Sequence, residues 1–257
     1  MWPNVVSDEI CKQWHEEGYF VLPRVVAEPE LEVLRQQCDR FLAEQQSLMF
    51  AEGRQVHGLN HRASRYFLPF CSVRSDAIRK FAHSLLLSGI ARSLLGEQAY
   101  LFLDQFVVKE AERGGRFSWH QDSGYIDHQH APYLSCWIPL DDVDEENGTV
   151  YLLPYSRAGT RDVLHHRIDP ESNDRIGYEG PDPGVPVIAP AGSIACFSSR
   201  VLHRSGQNAS AGLRRVLLLQ YSPEIIFTDD GAAPRHLAEP VVLNGRRVAH
   251  NVSHAPA

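Results

Sequence analysis

The apolar residues of this chain change their period near residue 99, and that change limits the folds open to it. Before it they recur every three or four residues, as on one face of a helix. Leu31, Leu34, Cys38, Phe41 and Leu42 form one such stripe, and Ile78, Phe81, Ala82, Leu85, Leu86, Ile90 and Leu94 form another. After it, from Tyr100 to Tyr221, short runs of branched and aromatic residues alternate with Gly, Pro, Asn and Asp, the pattern of strands and turns. Helices first and many strands afterwards predict a mainly β protein, a sandwich or barrel with flanking helices. Residues 1–257 read as one domain, with a helical part over 1–96, a strand core over about 99–222 and an extension over 223–257.

Local signals place the elements. Ser7 caps a first helix, Asp8 and Glu9 suit its positive end, and Gly18 stops it. Tyr19–Leu22 is a strand closed by Pro23. A second helix begins near Pro29, a first-turn position. The spacing predicts a third, continuous helix from Asp76 to Leu95, stopped by Gly96. Strands are predicted over Tyr100–Val108, Pro132–Leu140, Thr149–Leu153, Ala191–Phe197 and Leu213–Tyr221. Asn147-Gly148 predicts a hairpin between the second and third of these. Asn244-Gly245 predicts a smaller one within 241–248, followed by a frayed tail. Residues 47–70 are polar and aromatic without a period, and read equally as a lid or a surface loop. Residues 165–190, rich in Pro, Gly and Asp, read as a long connection over the mouth of a barrel.

Composition excludes several classes. A net charge of -7 without a basic cluster argues against a nucleic-acid surface. The five cysteines are scattered and never form Cys-X-X-Cys, so they read as buried thiols in a reducing compartment. No signal peptide and no apolar run of the ~18 residues a membrane span needs is present. The expectation is a cytoplasmic protein with a small-molecule partner and no nucleic acid or membrane.

The chemistry centres on Trp119-His120-Gln121-Asp122. On an extended strand, side chains two apart share a face, so His120 and Asp122 can meet one ion while Gln121 points away. A third ligand must come from elsewhere, and His203 is the candidate. Two histidines and one carboxylate with open positions make the iron(II) site of oxygenases. An unrelated polar pair plus a surface histidine carries about equal weight on these residues alone. His128 and His130 read as loop residues, His165 and His166 as surface or strand-end, and His57 and His61 as weak candidates for touching substrate.

Four blocks in order extend the motif. They are Glu17-Gly18-Tyr19-Phe20-Val21-Leu22, Trp119 to Asp122, Ser135 to Asp142 with Asn147-Gly148 and Leu153-Pro154-Tyr155-Ser156, and His203 to Asn208 with Arg214-Arg215. Together they resemble the phytanoyl-CoA dioxygenase family over roughly residues 15–222. The resemblance implies a double-stranded β-helix, a cupin-like jelly-roll barrel. It implies a hydroxylating dioxygenase with Fe(2+), 2-oxoglutarate and O2, ascorbate serving as a supporting reductant. It assigns iron to His120, Asp122 and His203. It assigns 2-oxoglutarate to Arg214, Gln105 and Trp137, the guanidinium gripping the far carboxylate. Strand parity alone leaves Arg214 and Arg215 open, because both faces of that strand are apolar; the family spacing selects Arg214. The family's upstream 2-oxoglutarate lysine has no counterpart between Arg65 and Phe70. Asp122 favours hydroxylation over halogenation, since the family's halogenases lack the carboxylate. Tyr125, Tyr66 and Phe67 are candidates for the substrate pocket. Two other classes stay open: a cupin-like protein that binds a metal or metabolite without turnover, and a zinc hydrolase on the same ligands.

Overall fold

The computed structural model describes residues 5–248; the expected tail lies outside them. Helix α1 (Asp8–Glu17) starts where Ser7 Oγ accepts from Ile10 N at 3.3 Å and ends at Gly18, whose φ of +80° closes the helix onto the Trp14 carbonyl. Strand β1 (Tyr19–Leu22) leads to α2 (Glu28–Ala51), which has proline in its first turn. The polar stretch after it is not an unstructured loop. It contains a small hairpin, β2 (Val56–His57) with β3 (Asn60–His61), and a full strand, β4 (Arg65–Pro69).

The expected third helix is two helices, α3 (Asp76–Ala82) and α4 (Leu85–Leu95). Ser84 breaks it, because its hydroxyl accepts from Leu87 N and caps a new helix. A serine hydroxyl offers the backbone an alternative to the helical ladder, and the apolar period runs across the break unaltered.

The strands that follow are β5 (Ala99–Lys109), β6 (Phe117–His120), β7 (Leu134–Pro139) and β8 (Val150–Leu153). After the short α5 (Tyr155–Ala158) come β9 (Arg167–Ile168), β10 (Arg175–Ile176), β11 (Val185–Pro186), β12 (Ile194–Ser198), β13 (Leu202–Ser205) and β14 (Arg214–Ser222). The expected C-terminal hairpin is present as β15 (Glu239–Leu243) and β16 (Arg246–Arg247). Three antiparallel sheets result among the described residues, one of them only the β9-β10 pair. Of the other two, the larger runs β1-β12-β7-β14-β5-β4-β3-β2, with β15 also pairing β5; the smaller runs β11-β8-β13-β6.

The large sheet is buried on both faces, which is why its strands read as continuous apolar runs. On β14, Val216 and Leu218 face the small sheet with Trp137, Val150, Leu152 and Phe197. Leu217, Leu219 and Tyr221 face the other way, packed with Leu31, Leu34, Ile78 and Ile90 of the helices. The helices are therefore a cover for the outer face of the sheet, and the space between the two sheets is the barrel interior.

The expected hairpin at Asn147-Gly148 does not form. The β7 strand pairs β12 and β14 in one sheet, while β8 pairs β11 and β13 in the other. The turn itself is real: Asn147 and Asp144 exchange side-chain-to-backbone bonds at 2.9 and 3.1 Å, and Gly148 has φ +78°. It carries the chain across the barrel instead of back along its neighbour. Turn residues encode a reversal, and the pairing partner is set by which faces need burial.

Candidate metal centre

His120 ends β6, and Gln121 stays extended (φ -114°, ψ 140°) before Asp122 opens a short 3-10 turn. The parity expected of the motif therefore holds. Gln121 points outward, donating to the Asp162 and Arg200 carbonyls at 2.8 and 2.7 Å and accepting from Leu164 N at 2.7 Å. His203 on β13 is the register partner of His120. His120, Asp122 and His203 are all buried, and their donor atoms lie within 4.8 Å of one another. Asp122 Oδ1 is 3.9 Å from His120 Nε2 and 3.5 Å from His203 Nε2. Donors held at about 2.1 Å from one ion sit at most roughly 4.2 Å apart, so both spacings fit a shared ion.

The neighbours aim these donors. His120 Nδ1 is 2.8 Å from the Ser118 carbonyl and His203 Nδ1 is 3.0 Å from the Val201 carbonyl. A carbonyl only accepts, so each Nδ1 carries the hydrogen and each Nε2 presents its lone pair inward. Burial, then the facing His203 ring, hold the His120 imidazole well below its ordinary pKa, against the Ser118 carbonyl; it is neutral, as a ligand must be. Asp122 Oδ2 accepts from Ser135 Oγ at 2.6 Å, and that oxygen accepts from Gln220 Nε2 at 3.1 Å. This leaves Oδ1 for an ion.

The three ligands sit where two cavities meet. The outer one, about 290 Å³, is walled by Phe67, Tyr125, Tyr133, Arg175 and Arg235. The inner one, about 70 Å³, is walled by Trp137, Val150, Phe197, Leu218 and Arg214. Gln105, His120 and Asp122 border both. Arg214 is 1% exposed. Its Nη2 donates to the Gly148 carbonyl at 3.2 Å, while Nε and Nη1 are buried without a hydrogen-bond partner. Burial lowers its pKa to about 10, partly offset by Asp141. A charged group with two unmet buried donors calls for an anion. Arg215 points to the other face, paired with Asp141 at 2.7 Å and Asp39 at 3.1 Å.

Not every expected residue is there. Phe67 lines both cavities and Tyr125 stands edge-on to His120, ring centroids 5.8 Å apart. Tyr66 borders neither cavity. It lies on the helix-covered face of β4, its hydroxyl accepting from Ala63 N at 2.9 Å; adjacent strand residues cannot share a wall. His166 is half-buried just before β9, a strand end as expected, and it has partners of its own. Its Nε2 accepts from Gln121 N at 3.0 Å, and its ring fills the space where a Cβ on Gly124 or Gly177 would stand. His61 and Arg65 instead bind the Ser172 carbonyl at 3.1 and 3.0 Å, so the 56–65 segment is fastened to the long connection beside the outer cavity. Ser135, Gln220, Arg175 and Arg235 were not singled out by sequence. Gln220 alone left a signal, a polar residue inside the apolar run of β14.

The sequence profile of phytanoyl-CoA dioxygenase matches residues 14–216. The chain belongs to the phytanoyl-CoA dioxygenase family. Among its relatives, the L-proline trans-4-hydroxylase of Streptomyces griseoviridis is 26% identical over 242 residues, 82% of this chain and 84% of that one. An ectoine dioxygenase of Stutzerimonas stutzeri is 23% identical, over 84% of this chain and 77% of its own. Among solved structures, EctD from S. alaskensis with 2-oxoglutarate and 5-hydroxyectoine superposes with a TM-score of 0.70 at 20% identity, covering 96% and 90% of the two chains. The carbocyclase SnoK from nogalamycin biosynthesis gives 0.69 at 22% identity, covering 91% and 92%. These likenesses establish the jelly-roll fold. Among the described residues, no helix is long and apolar enough to cross a membrane.

Proposed function

We propose that this chain is an iron(II)- and 2-oxoglutarate-dependent dioxygenase that hydroxylates a small molecule in the outer cavity. One observation carries the reading: two imidazoles and a carboxylate, all buried, stand at the junction of two cavities, and the inner one ends on a buried guanidinium with unmet donors. His120 Nε2, His203 Nε2 and Asp122 Oδ1 would hold the iron. Arg214 would hold the far carboxylate of 2-oxoglutarate, with Gln105 and Trp137 along its length. Iron with 2-oxoglutarate and oxygen supplies the oxidising power for inserting one oxygen atom into a C–H bond, with succinate and carbon dioxide as coproducts.

The protein's own residues supply placement and exclusion of water. Phe67, Phe102, Phe117, Tyr125 and Tyr133 give the outer cavity a dry, aromatic wall. Arg175, its guanidinium 5.2 Å from the Tyr125 ring, and Arg235, donating to the Tyr125 carbonyl at 2.8 Å, bring positive charge to the same wall. This favours a compact substrate with an apolar body and an anionic group.

The deciding experiment is succinate release by the iron-loaded protein across a panel of small carboxylic acids, in air and without oxygen. Succinate formed in step with a hydroxylated product supports the reading. Activity with zinc and without oxygen would replace it with hydrolysis. Arg214→Met is expected to raise the 2-oxoglutarate concentration for half-maximal rate by about 10–100-fold, the range for a charge-assisted hydrogen bond; an unchanged requirement would remove Arg214 from the site. Ser135→Ala frees Asp122 to rotate. Iron affinity in an anaerobic titration is expected to fall by roughly 10–100-fold, as for other partners that orient a metal ligand, and an unaltered affinity would mean that packing alone fixes Asp122.

A further inference from the structure

Lys109 is the last residue of β5, on the strand parity of Gln105 and Val107; those two line the inner cavity and Lys109 lies just outside that lining. It is 1% exposed. Its register partner on β14 is Arg214, and its register partner on β4 is Arg65. Three cations thus stand side by side across neighbouring strands at one end of the barrel. Among the described residues, Arg65 alone of the three is paired with a carboxylate, Asp174. Lys109 Nζ donates to the Gly206 carbonyl, and Arg214 Nη2 donates to the Gly148 carbonyl. Those two glycines touch, since Gly206 N donates to the Thr149 carbonyl and a Cβ on Gly148 would meet the Gly206 oxygen at 2.7 Å. The two cationic heads therefore end on one patch of neutral backbone.

The charges facing Lys109 are unbalanced. Arg214 from β14, Arg65 from β4 and Arg204 from β13 all oppose its protonation, and Asp174 from the connection before β10 is the carboxylate that favours it. Asp174 is already forked onto Arg65. Asp141, which acts on Arg214 from the far face, is paired with Arg215. A buried amine in such company gives up its proton when nothing anionic is near; burial and these arginines push Lys109 well below its ordinary range. An ammonium has three donors, and one carbonyl meets only one of them.

Resting on the dioxygenase reading, we propose that Lys109 is a second anchor beside Arg214 for the far carboxylate of 2-oxoglutarate, and that the cosubstrate enters together with a proton that charges this amine. The carboxylate then lies between a guanidinium fork and an ammonium, and the buried charge is brought closer to balance. Proton balance is simple: 2-oxoglutarate binds as its dianion, one proton comes from solvent, and no bond is made or broken apart from the new N–H. The pH sign follows from linkage. Where the free site holds neutral Lys109 and the loaded site holds the ammonium, the 2-oxoglutarate Kd rises tenfold for each unit that pH rises. At pH values low enough for the free amine to be charged already, Lys109 still holds the carboxylate and the Kd no longer varies with pH through it.

The test is calorimetry of 2-oxoglutarate binding to the iron(II)-loaded protein without oxygen, repeated in buffers of different ionisation enthalpy between pH 6.5 and 9. The comparison ligand is 2-oxobutyrate, which keeps the metal-chelating end and lacks the far carboxylate. Proton release or uptake at the metal end is common to both ligands and cancels. Toward the alkaline end of that range, 2-oxoglutarate is expected to take up more protons than 2-oxobutyrate, the difference approaching one. Lys109→Met is expected to lose that extra proton and raise the 2-oxoglutarate Kd at least tenfold, leaving the iron and 2-oxobutyrate affinities unchanged. Lys109→Arg is expected to bind 2-oxoglutarate without the extra proton. Equal proton uptake for the two ligands on the wild-type protein overturns the proposal without any variant, as does a Lys109→Met protein that keeps the wild-type Kd. If the iron-loaded wild type binds 2-oxobutyrate and not 2-oxoglutarate, the Lys109 inference falls; if it binds neither, the dioxygenase reading falls and this inference with it.

Discussion

His120→Ala is expected to abolish succinate formation and to leave a folded protein that no longer retains iron. The imidazole is one of three donors, and the two that remain, Asp122 Oδ1 and His203 Nε2, come from the turn after β6 and from the neighbouring strand β13. Residues that merely orient a ligand already control metal affinity by about 10–100-fold, so loss of a ligand itself exceeds that range. The fold is expected to survive because His120 is not part of the large cores; it meets Phe117 and Tyr125 edge-on at 4.6 and 5.8 Å, at the wall of a cavity. Circular dichroism separates loss of structure from loss of metal, and an anaerobic iron titration measures the second. A His120→Ala protein that binds iron like the wild type and still releases succinate would dismantle the ligand assignment.

His120, Asp122 and their parity were legible because two residues apart on extended chain is a rigid relation, and Gln121 keeps the chain extended. The position of His203 was legible from its family motif, and its register opposite His120 could not be read, since sequence carries no pairing information across 83 positions of separation. The choice between Arg214 and Arg215 shows the limit well. A strand usually announces its inner face by alternation, but β14 is covered by helices on one side and by the small sheet on the other, so both arginines stand in the same apolar text. Tyr66 failed for the opposite reason, while Phe67 lines both cavities. The alternation was available, and naming both ignored it. The Asn147-Gly148 turn was read correctly as a reversal and wrongly as a hairpin, because a jelly roll passes its chain between sheets at such turns.

The buried charges were the least legible part. Long cationic side chains ordinarily reach water, and nothing in the sequence marks Lys109 and Arg65 as buried. Arg65 is covered by the long connection over 165–190, which bonds it through Ser172 and Asp174. That connection closes that side of the barrel from a hundred residues away in sequence, through bonds such as Asn173 Nδ2 to the Gly58 carbonyl at 3.2 Å.

Asp174 is the residue on which that closure turns, and Asp174→Ala is expected to be the most destabilising single substitution at this end of the barrel. Its carboxylate takes a fork of bonds from Arg65, and the Arg65 and Asp174 side chains are 4% and 2% exposed. The same Oδ2 accepts from Ser118 N at 3.0 Å. Removing one partner of a buried ion pair leaves an uncompensated charge and costs about 3–5 kcal/mol, a large share of the roughly 5–15 kcal/mol that holds a typical domain together. Arg65 would keep the Arg116 carbonyl at 2.7 Å and the Phe117 ring at 4.9 Å, neither of which neutralises it, and it would stand unpaired beside Lys109 and the buried Arg214 guanidinium. The damage should also reach the metal, because the Ser118 carbonyl that sets the His120 tautomer belongs to the residue whose N–H loses its acceptor. Urea denaturation is expected to show the full loss for Asp174→Ala and a smaller one for Asp174→Ala combined with Arg65→Met, since the second change removes the stranded charge. A loss below about 1 kcal/mol for the single variant would place the pair in the class of solvent-screened ion pairs and would mean that water reaches Arg65 through the connection.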